Sequence, residues 1–147
     1  MESACLQGKY IYFSPLYRPL PNSVANMHHG LIVRYNTRRG FGSKYAWEMF
    51  DTMSIRSDLG GFSGCESDGR FVYFNPTRFC SVEPSGLFLR FDTQGNFFNP
   101  ASYQTIDIKQ WNPDFTDYHG YSSFDGKNMY FCAAGRAAIM AKFRTMN

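Results

Sequence analysis

Short runs of apolar residues, separated by glycine, proline and asparagine, recur along the whole chain. Within 71–74 and 87–89 the apolar residues do not alternate with polar ones, which is typical of strands covered on both faces. Asp-Gly pairs at 68–69 and 125–126 separate such runs, and this dipeptide between strand-like segments is a strong hairpin signal. The pattern therefore predicts an all-β chain of short antiparallel strands.

The apolar runs belong to an internal repeat. Segment 30–51 aligns without a gap on 86–107, so that LIVRYNT falls on LFLRFDT. A second motif occurs three times, as GKYIYFSP from Gly8, GRFVYFNP from Gly69 and GKNMYFCA from Gly126. IMAKFRT, which begins at Ile139, is the third partner of LIVRYNT. We therefore expect three copies of one structural unit.

Each copy divides into pieces of strand length. In the second copy the predicted strands are 62–66, 70–75, 87–92 and 103–108. Four short strands in about 50 to 60 residues is the make-up of a β-propeller blade. The sequence predicts four-stranded antiparallel blades within one structural domain, two complete and a third lacking its last strand. The predicted copies are 1–60, 61–118 and 119–147.

These motifs resemble the β-propeller blade-repeat proteins of the "DGR-x-VYF-x-P … LRYDT" type and, more distantly, kelch and tachylectin-like blades. The resemblance implies an architecture rather than a function, because propellers include enzymes, lectins and scaffolds. Three blades are fewer than the roughly four to eight that close a propeller. We expect completion in one of three ways: two chains forming a six-bladed ring, a different subunit covering the open edges, or a longer propeller of which this is a fragment.

Composition and charge exclude few functions, but they argue against some classes of binding partner. A net charge of +3 with scattered basic residues does not suggest a nucleic-acid partner. The chain has no signal peptide and no apolar stretch long enough for a membrane span, which favours an intracellular location. Its cysteines lack the spacing of a zinc site, so reduced structural thiols are expected. They are Cys5, Cys65, Cys80 and Cys132.

The sequence contains no catalytic motif, and we expect neither an enzyme nor a cofactor. The aspartates recur with the repeat, as turn residues do, whereas catalysis needs one asymmetric constellation. The adjacent His28 and His29 lack acidic or cysteine neighbours at metal-site spacing, so no metal site is predicted.

Candidate binding residues fall in two places. The connection 16–29 is the longest of three equivalent loops, and loop insertions often form a binding face. Its side chains suited to an interface are Tyr17, Arg18, Met27 and His28. Arg34 and Arg90 recur beside aromatic residues and either line a groove for an anionic or sugar ligand or pair with a neighbouring acid. We predict a non-catalytic protein-interaction subunit, completed by self-association or another protein; the alternative is a glycan-binding lectin with repeat-equivalent sites.

Overall fold

The computed structural model describes residues 1, 3–19, 26–76, 87–110, 120–133 and 140–145. In chain order its strands are β1 Ala4–Gln7, β2 Tyr10–Phe13, β3 Tyr17–Pro19, β4 Asn26–His28, β5 Leu31–Asn36, β6 Trp47–Asp51, β7 Phe62–Ser67, β8 Phe71–Pro76, β9 Leu87–Asp92, β10 Tyr103–Asp107, β11 Gly120–Phe124, β12 Asn128–Ala133 and β13 Met140–Arg144. Single turns of 3-10 helix occupy Lys44–Ala46, Thr52–Ser54, Pro100–Ser102 and Ile108–Gln110. The described residues contain no α-helix, and the prediction of an all-β chain is confirmed.

Three antiparallel sheets follow one another along the chain. Sheet 1 has the order β1-β2-β5-β6, sheet 2 has β7-β8-β9-β10, and sheet 3 has β11-β12-β13 within the described residues. A separate hairpin of β3 and β4 lies between β2 and β5 in the sequence. The first strand of sheet 2 contacts the first strands of both other sheets. This is the arrangement of partial propeller blades, as predicted.

The hairpin between the first two strands contains a glycine with positive φ in all three copies. Gly8, Gly69 and Gly126 have φ values of 59°, 98° and 92°, a region that side chains with a Cβ rarely adopt. In the second copy the Asp68 carboxylate also accepts hydrogen bonds from the backbone N–H groups of the two residues after the glycine, at 2.9 and 2.7 Å. The predicted Asp-Gly turns are therefore fixed by backbone conformation and by side-chain capping.

A threonine closes the third strand of each copy against the second. Its backbone N–H donates to the carbonyl oxygen of the residue that follows the hairpin glycine. The pairs are Thr37 with Lys9 at 2.9 Å, Thr93 with Arg70 at 3.1 Å and Thr145 with Lys127 at 3.2 Å. Residues matched by the sequence repeat therefore occupy the same positions in the three sheets.

Each sheet has two faces, because successive side chains of a strand point to opposite sides. We call "back" the face of a sheet toward the next sheet in the chain and "front" the opposite face. The back face of sheet 1 packs on the front face of sheet 2, with Tyr12 and Ile32 against Phe74 and Leu89. The back face of sheet 2 packs on the front face of sheet 3, where Phe88 and Phe131 rings lie 4.4 Å apart. The apolar core thus lies between sheets.

The expectation of reduced thiols is wrong for two of the cysteines. Cys5 and Cys65 form a disulfide with a Cα–Cα distance of 5.7 Å. Cys5 lies opposite Tyr12 on the back face of sheet 1, and Cys65 lies opposite Phe74 on the front face of sheet 2. The bond therefore links the first strands of sheets 1 and 2. Cys132 is free and exposed, and Cys80 lies outside the described residues.

Candidate functional site

The front face of sheet 1 is an apolar surface that no other described sheet covers. Strand alternation and register place on it these residues: Leu6, Ile11, Phe13, Val33, Tyr35, Trp47 and Met49. Phe41, from the connection between β5 and β6, packs against Trp47 with ring centroids 5.0 Å apart. Val33 is buried, whereas Leu6, Phe41 and Met49 are exposed. An exposed cluster of this kind is a candidate interaction surface.

The same positions in sheet 2 are buried. The repeat matches the front face of sheet 1 to Val72, Phe74, Leu89, Phe91, Phe97 and Tyr103, all of which belong to the core between sheets 1 and 2. Phe97 is 2% exposed, while its equivalent Phe41 is 70% exposed. The two front faces therefore have matching residue positions, and their loop phenylalanines differ in solvent exposure.

A group of three aromatic residues recurs at equivalent positions on both front faces. On sheet 1 the Tyr35 ring centroid is 5.4 Å from that of Phe41 and 4.7 Å from that of Trp47. The Trp47 indole N–H donates to the Phe41 carbonyl oxygen at 2.9 Å. On sheet 2 the Tyr103 hydroxyl donates to the Phe97 carbonyl oxygen at 2.7 Å. The aromatic group of sheet 1 is thus held by a hydrogen bond equivalent to the one that holds the buried group of sheet 2.

The back face of sheet 1 shows how a front face is covered. The Arg34 guanidinium lies between two rings, 4.0 Å from the Tyr10 centroid and 4.1 Å from the Phe97 centroid, and it pairs with Glu48 at 2.5 Å. Phe50 stacks on Tyr103 with centroids 4.7 Å apart. The front face of sheet 2 thus accepts a cation and an aromatic ring from sheet 1.

Burial at this interface also changes proton affinities. Desolvation raises the pKa of Tyr12 and, more strongly, that of Tyr103. Both phenols belong to the core cluster between the first two sheets. They therefore stay neutral at physiological pH and act as packing residues.

The two predicted arginines occupy equivalent positions with different surroundings. Arg34 is only 12% exposed and is held between sheets 1 and 2. Arg90 lies 4.5 Å from the Phe71 ring centroid of its own sheet, and its Nε donates to the Gln104 side-chain oxygen at 2.8 Å. Both guanidinium groups are engaged within the chain, which gives Arg34 a packing role. Their participation in ligand binding stays a prediction.

The loop residues predicted to bind a partner are brought together as a hairpin. Tyr17 pairs with His28, and Arg18 pairs with Met27, in the β3–β4 ladder. The backbone of these four residues is described, and their side chains lie outside the described part of the structure. Their role at an interface stays a prediction.

Two hydrogen-bonded aspartates illustrate that the repeated acids fix turns. The Tyr73 hydroxyl donates to Asp68 at 2.8 Å, and burial together with this bond raises the tyrosine's pKa. The Tyr130 hydroxyl donates to Asp125 at 2.8 Å, and bonds from Asn128 and Tyr130 lower the pKa of that carboxyl. These carboxylates are engaged in local hydrogen bonds.

Other kinds of site are sparse in the described ranges. A cavity of about 310 Å³ opens beside β10, and the one carboxylate in its described lining, Asp107, accepts a bond from the Lys109 backbone at 3.0 Å. No group of three potential metal ligands occurs within these residues. The helical segments described are all too short and polar to cross a bilayer.

Comparison with known proteins gives no match, whether with protein-family models, with curated proteins or with solved structures. The candidate site therefore rests on the geometry of this chain. Sequence reasoning did not select Phe41, Trp47 or Met49 as site residues. The repeat alignment matches Phe41 with Phe97, but it does not show which of the two is exposed. That becomes clear only when the structure shows which front face another sheet covers.

Proposed function

We propose that this chain is a non-catalytic protein-interaction module whose binding surface is the front face of sheet 1. The observation that supports this most directly is the contrast between Phe41, exposed, and Phe97, buried at the equivalent position of an internal interface. Removing apolar surface from water is favourable by about 25 cal/mol per Å². A partner that covers Phe41 and Met49 gains this term without reorganising the aromatic group, which its hydrogen bond and ring contacts already fix.

The alternative, a lectin with repeat-equivalent sites, is less well supported. A sugar-stacking platform would need exposed aromatic residues in each copy. In sheet 2 the corresponding rings of Phe91, Phe97 and Tyr103 are packed against sheet 1. A glycan site on the front face of sheet 1 would therefore have no counterpart in sheet 2.

Absence of catalysis is part of the proposal, and the chemistry of the described acids favours it. Asp68 and Asp125 bond to backbone N–H groups of their own hairpins. Arg70 bridges to Asp92 at 2.7 Å and holds the pKa of that carboxyl below its ordinary value. General acid or base catalysis needs a carboxyl with a pKa near the working pH, whereas the hydrogen bonds to Asp92 and Asp125 lower the pKa of these carboxyls.

The test compares two exposed phenylalanines. Phe41 lies on the proposed binding face, whereas Phe98, 54% exposed, lies in the equivalent loop of sheet 2. Immobilised wild-type chain, Phe41→Ser and Phe98→Ser are incubated with an extract of the source cells, and bound proteins are quantified by mass spectrometry. The same three proteins are applied to a glycan array.

We expect retained protein to fall about tenfold or more in Phe41→Ser, the effect of losing a central aromatic anchor, and to be unchanged in Phe98→Ser. Circular dichroism should show that both variants stay folded. Equal retention by all three proteins would refute the proposed surface. Glycan binding that is lost with Phe41, without any protein bound, would favour the lectin.

A further inference from the structure

The back face of sheet 3 carries the kinds of residue that could cover the front face of sheet 1. Strand register places Tyr130, Met140 and Lys142 together on the back face of sheet 3. Met140 is 66% exposed, and Lys142 is also exposed. Within the described residues, no sheet follows sheet 3 to cover this face.

These three residues occupy the positions that, in sheet 1, hold the residues packed on the front face of sheet 2. Tyr130 matches Tyr12, and in the IMAKFRT motif Met140 matches Ile32 and Lys142 matches Arg34. Tyr12 and Ile32 belong to the core formed with the front face of sheet 2, and Arg34 reaches Phe97 there. The back face of sheet 3 thus has a cation, an aromatic ring and an aliphatic side chain at the three positions used in that interface.

We propose that the partner of the front face of sheet 1 is the back face of sheet 3 in a second copy of this chain. Lys142 of one copy then takes the place of Arg34 and lies over Phe41 of the other, as Arg34 lies over Phe97. This inference rests on the proposed function, because it names the occupant of the same face. The support for a second copy is that the equivalent faces already pack together between sheets 1 and 2.

The pairing joins two different faces, so each copy uses both of its open faces. Two such contacts related by a two-fold axis close a ring of six sheets, within the roughly four to eight blades that propellers contain. The proposed contact uses the second and third strands of a back face, as Tyr12, Ile32 and Arg34 do in the interface between sheets 1 and 2. Trp47, which matches Tyr103 on the fourth strand of sheet 2, is packed by its own neighbours Tyr35 and Phe41.

The experiment measures mass in solution with the full chain. Wild-type protein, Phe41→Ser, Lys142→Glu and the control Phe98→Ser are followed by sedimentation equilibrium over a range of concentrations. We expect wild type and Phe98→Ser to reach twice the 16.9 kDa chain mass. Each face variant should weaken dimerisation about tenfold or more, because each loses an anchor of both contacts.

Mixing the two face variants tests the pairing itself. The back face of Phe41→Ser and the front face of Lys142→Glu are both intact, so an equimolar mixture regains one of the two contacts. It should therefore dimerise more strongly than either variant alone. A front-to-front dimer would not be restored by mixing, and failure of restoration would overturn the proposal.

A measurement on unsubstituted protein keeps the test independent of variant folding. Cys132 lies opposite Met140 on the back face of sheet 3, and its thiol is free and exposed. Its alkylation rate, followed by peptide mass spectrometry, should fall as the concentration rises through the dimerisation range. An unchanged rate while the mass doubles would place the contact elsewhere and contradict the proposal.

The outcomes separate this inference from the proposed function. A chain that stays monomeric, yet loses capture of another protein in Phe41→Ser, keeps the binding face and refutes the second copy as its occupant. A chain that stays monomeric and shows no effect of Phe41→Ser on any capture refutes both.

Discussion

Phe41 and Phe97 occupy the same position in two copies of one structural unit, and their solvent exposures are 70% and 2%. Each ring lies near an aromatic residue of the next strand: Phe41 is 5.0 Å from Trp47 in a T-shaped pair, and Phe97 is 6.5 Å from Tyr103 in a tilted pair. Local sequence therefore places the same group of aromatic residues on both front faces. Whether that face is buried depends on the sheet in front of it.

This contrast shows what an apolar strand pattern means in a stacked repeat. Strands that are apolar on both faces need a neighbour on each side, and each sheet supplies half of two interfaces. Sheet 2 has both neighbours, while the described sheets provide sheet 1 and sheet 3 with one each. The open faces at the two ends are therefore where association, rather than stability of the single chain, should respond to substitution.

The largest expected effect on stability comes from truncating Phe97, the buried one of the two equivalent phenylalanines. Phe97→Ala should lower the free energy of unfolding by about 3–5 kcal/mol, since it removes a buried ring and leaves a cavity. Phe41→Ala should lower it by less than about 1 kcal/mol at low protein concentration, because the ring is already exposed. Urea denaturation of the two variants at one concentration makes the comparison, and equal losses would contradict the assignment of covered and open faces.

The next effect concerns the disulfide, which is present between sheets 1 and 2 and has no equivalent between sheets 2 and 3. Cys5 and Cys65, 60 residues apart, link sheets 1 and 2. The equivalent boundary between sheets 2 and 3 has Glu66 and Ser122 at those positions. Replacing both cysteines by serine should lower stability by about 2–4 kcal/mol, as expected for loss of a long-range cross-link.

Denaturation with and without reductant measures this contribution. Cys132→Ser is the control, because that thiol is free, and it should leave both curves unchanged. If reductant has no effect on the wild-type curve, the cross-link does not stabilise the chain.

A smaller effect tests the conformation of the hairpin turn in the second copy. A Cβ added at Gly69 or at Gly40 would meet no atom within 4 Å, but only Gly69 has a positive φ, of 98°. Gly69→Val should therefore cost about 1–3 kcal/mol through backbone strain, and Gly40→Val should cost much less. Thermal melts of the pair separate strain from crowding. Identical melting temperatures would argue against the turn conformation.

The smallest effect concerns the cation that crosses between sheets. Arg34→Lys should cost about 1 kcal/mol, because lysine cannot place a planar group between the Tyr10 and Phe97 rings. Arg90→Lys should cost less, since Arg90 contacts a ring and an amide of its own sheet. Denaturant midpoints of the two variants give the comparison. A larger loss of stability in Arg90→Lys would show that the contact of Arg34 with Phe97 does not determine the size of the effect.

The strands were predictable from the sequence because the repeat appears in the spacing of apolar residues and turn glycines. The predicted strand 87–92 coincides with β9, and the other predicted strands of the second copy differ from the structure by about one residue at an end. Such features depend on local conformation, which each copy specifies again. The agreement extends to the Asp-Gly hairpins.

The disulfide and the packing of Arg34 were beyond the reach of the sequence. Cys5 and Cys65 do not occupy equivalent positions in the repeat, so comparing the copies could not suggest that they meet. Arg34 could equally have faced solvent, and its position between Tyr10 and Phe97 depends on how two sheets pack. These features are properties of contacts between copies, which a description of one copy does not contain.

The position of the cross-link has a consequence for how the molecule opens. A covalent bond joins sheets 1 and 2, whereas the described contacts of sheet 3 with sheet 2 are noncovalent packing around Met129 and Phe131. Local unfolding should therefore begin at sheet 3, and the amides of β12 should exchange with solvent through a smaller opening than those of β8. In that partly open form the rings of Phe88 and Phe131 would be the apolar surface that a chaperone first encounters.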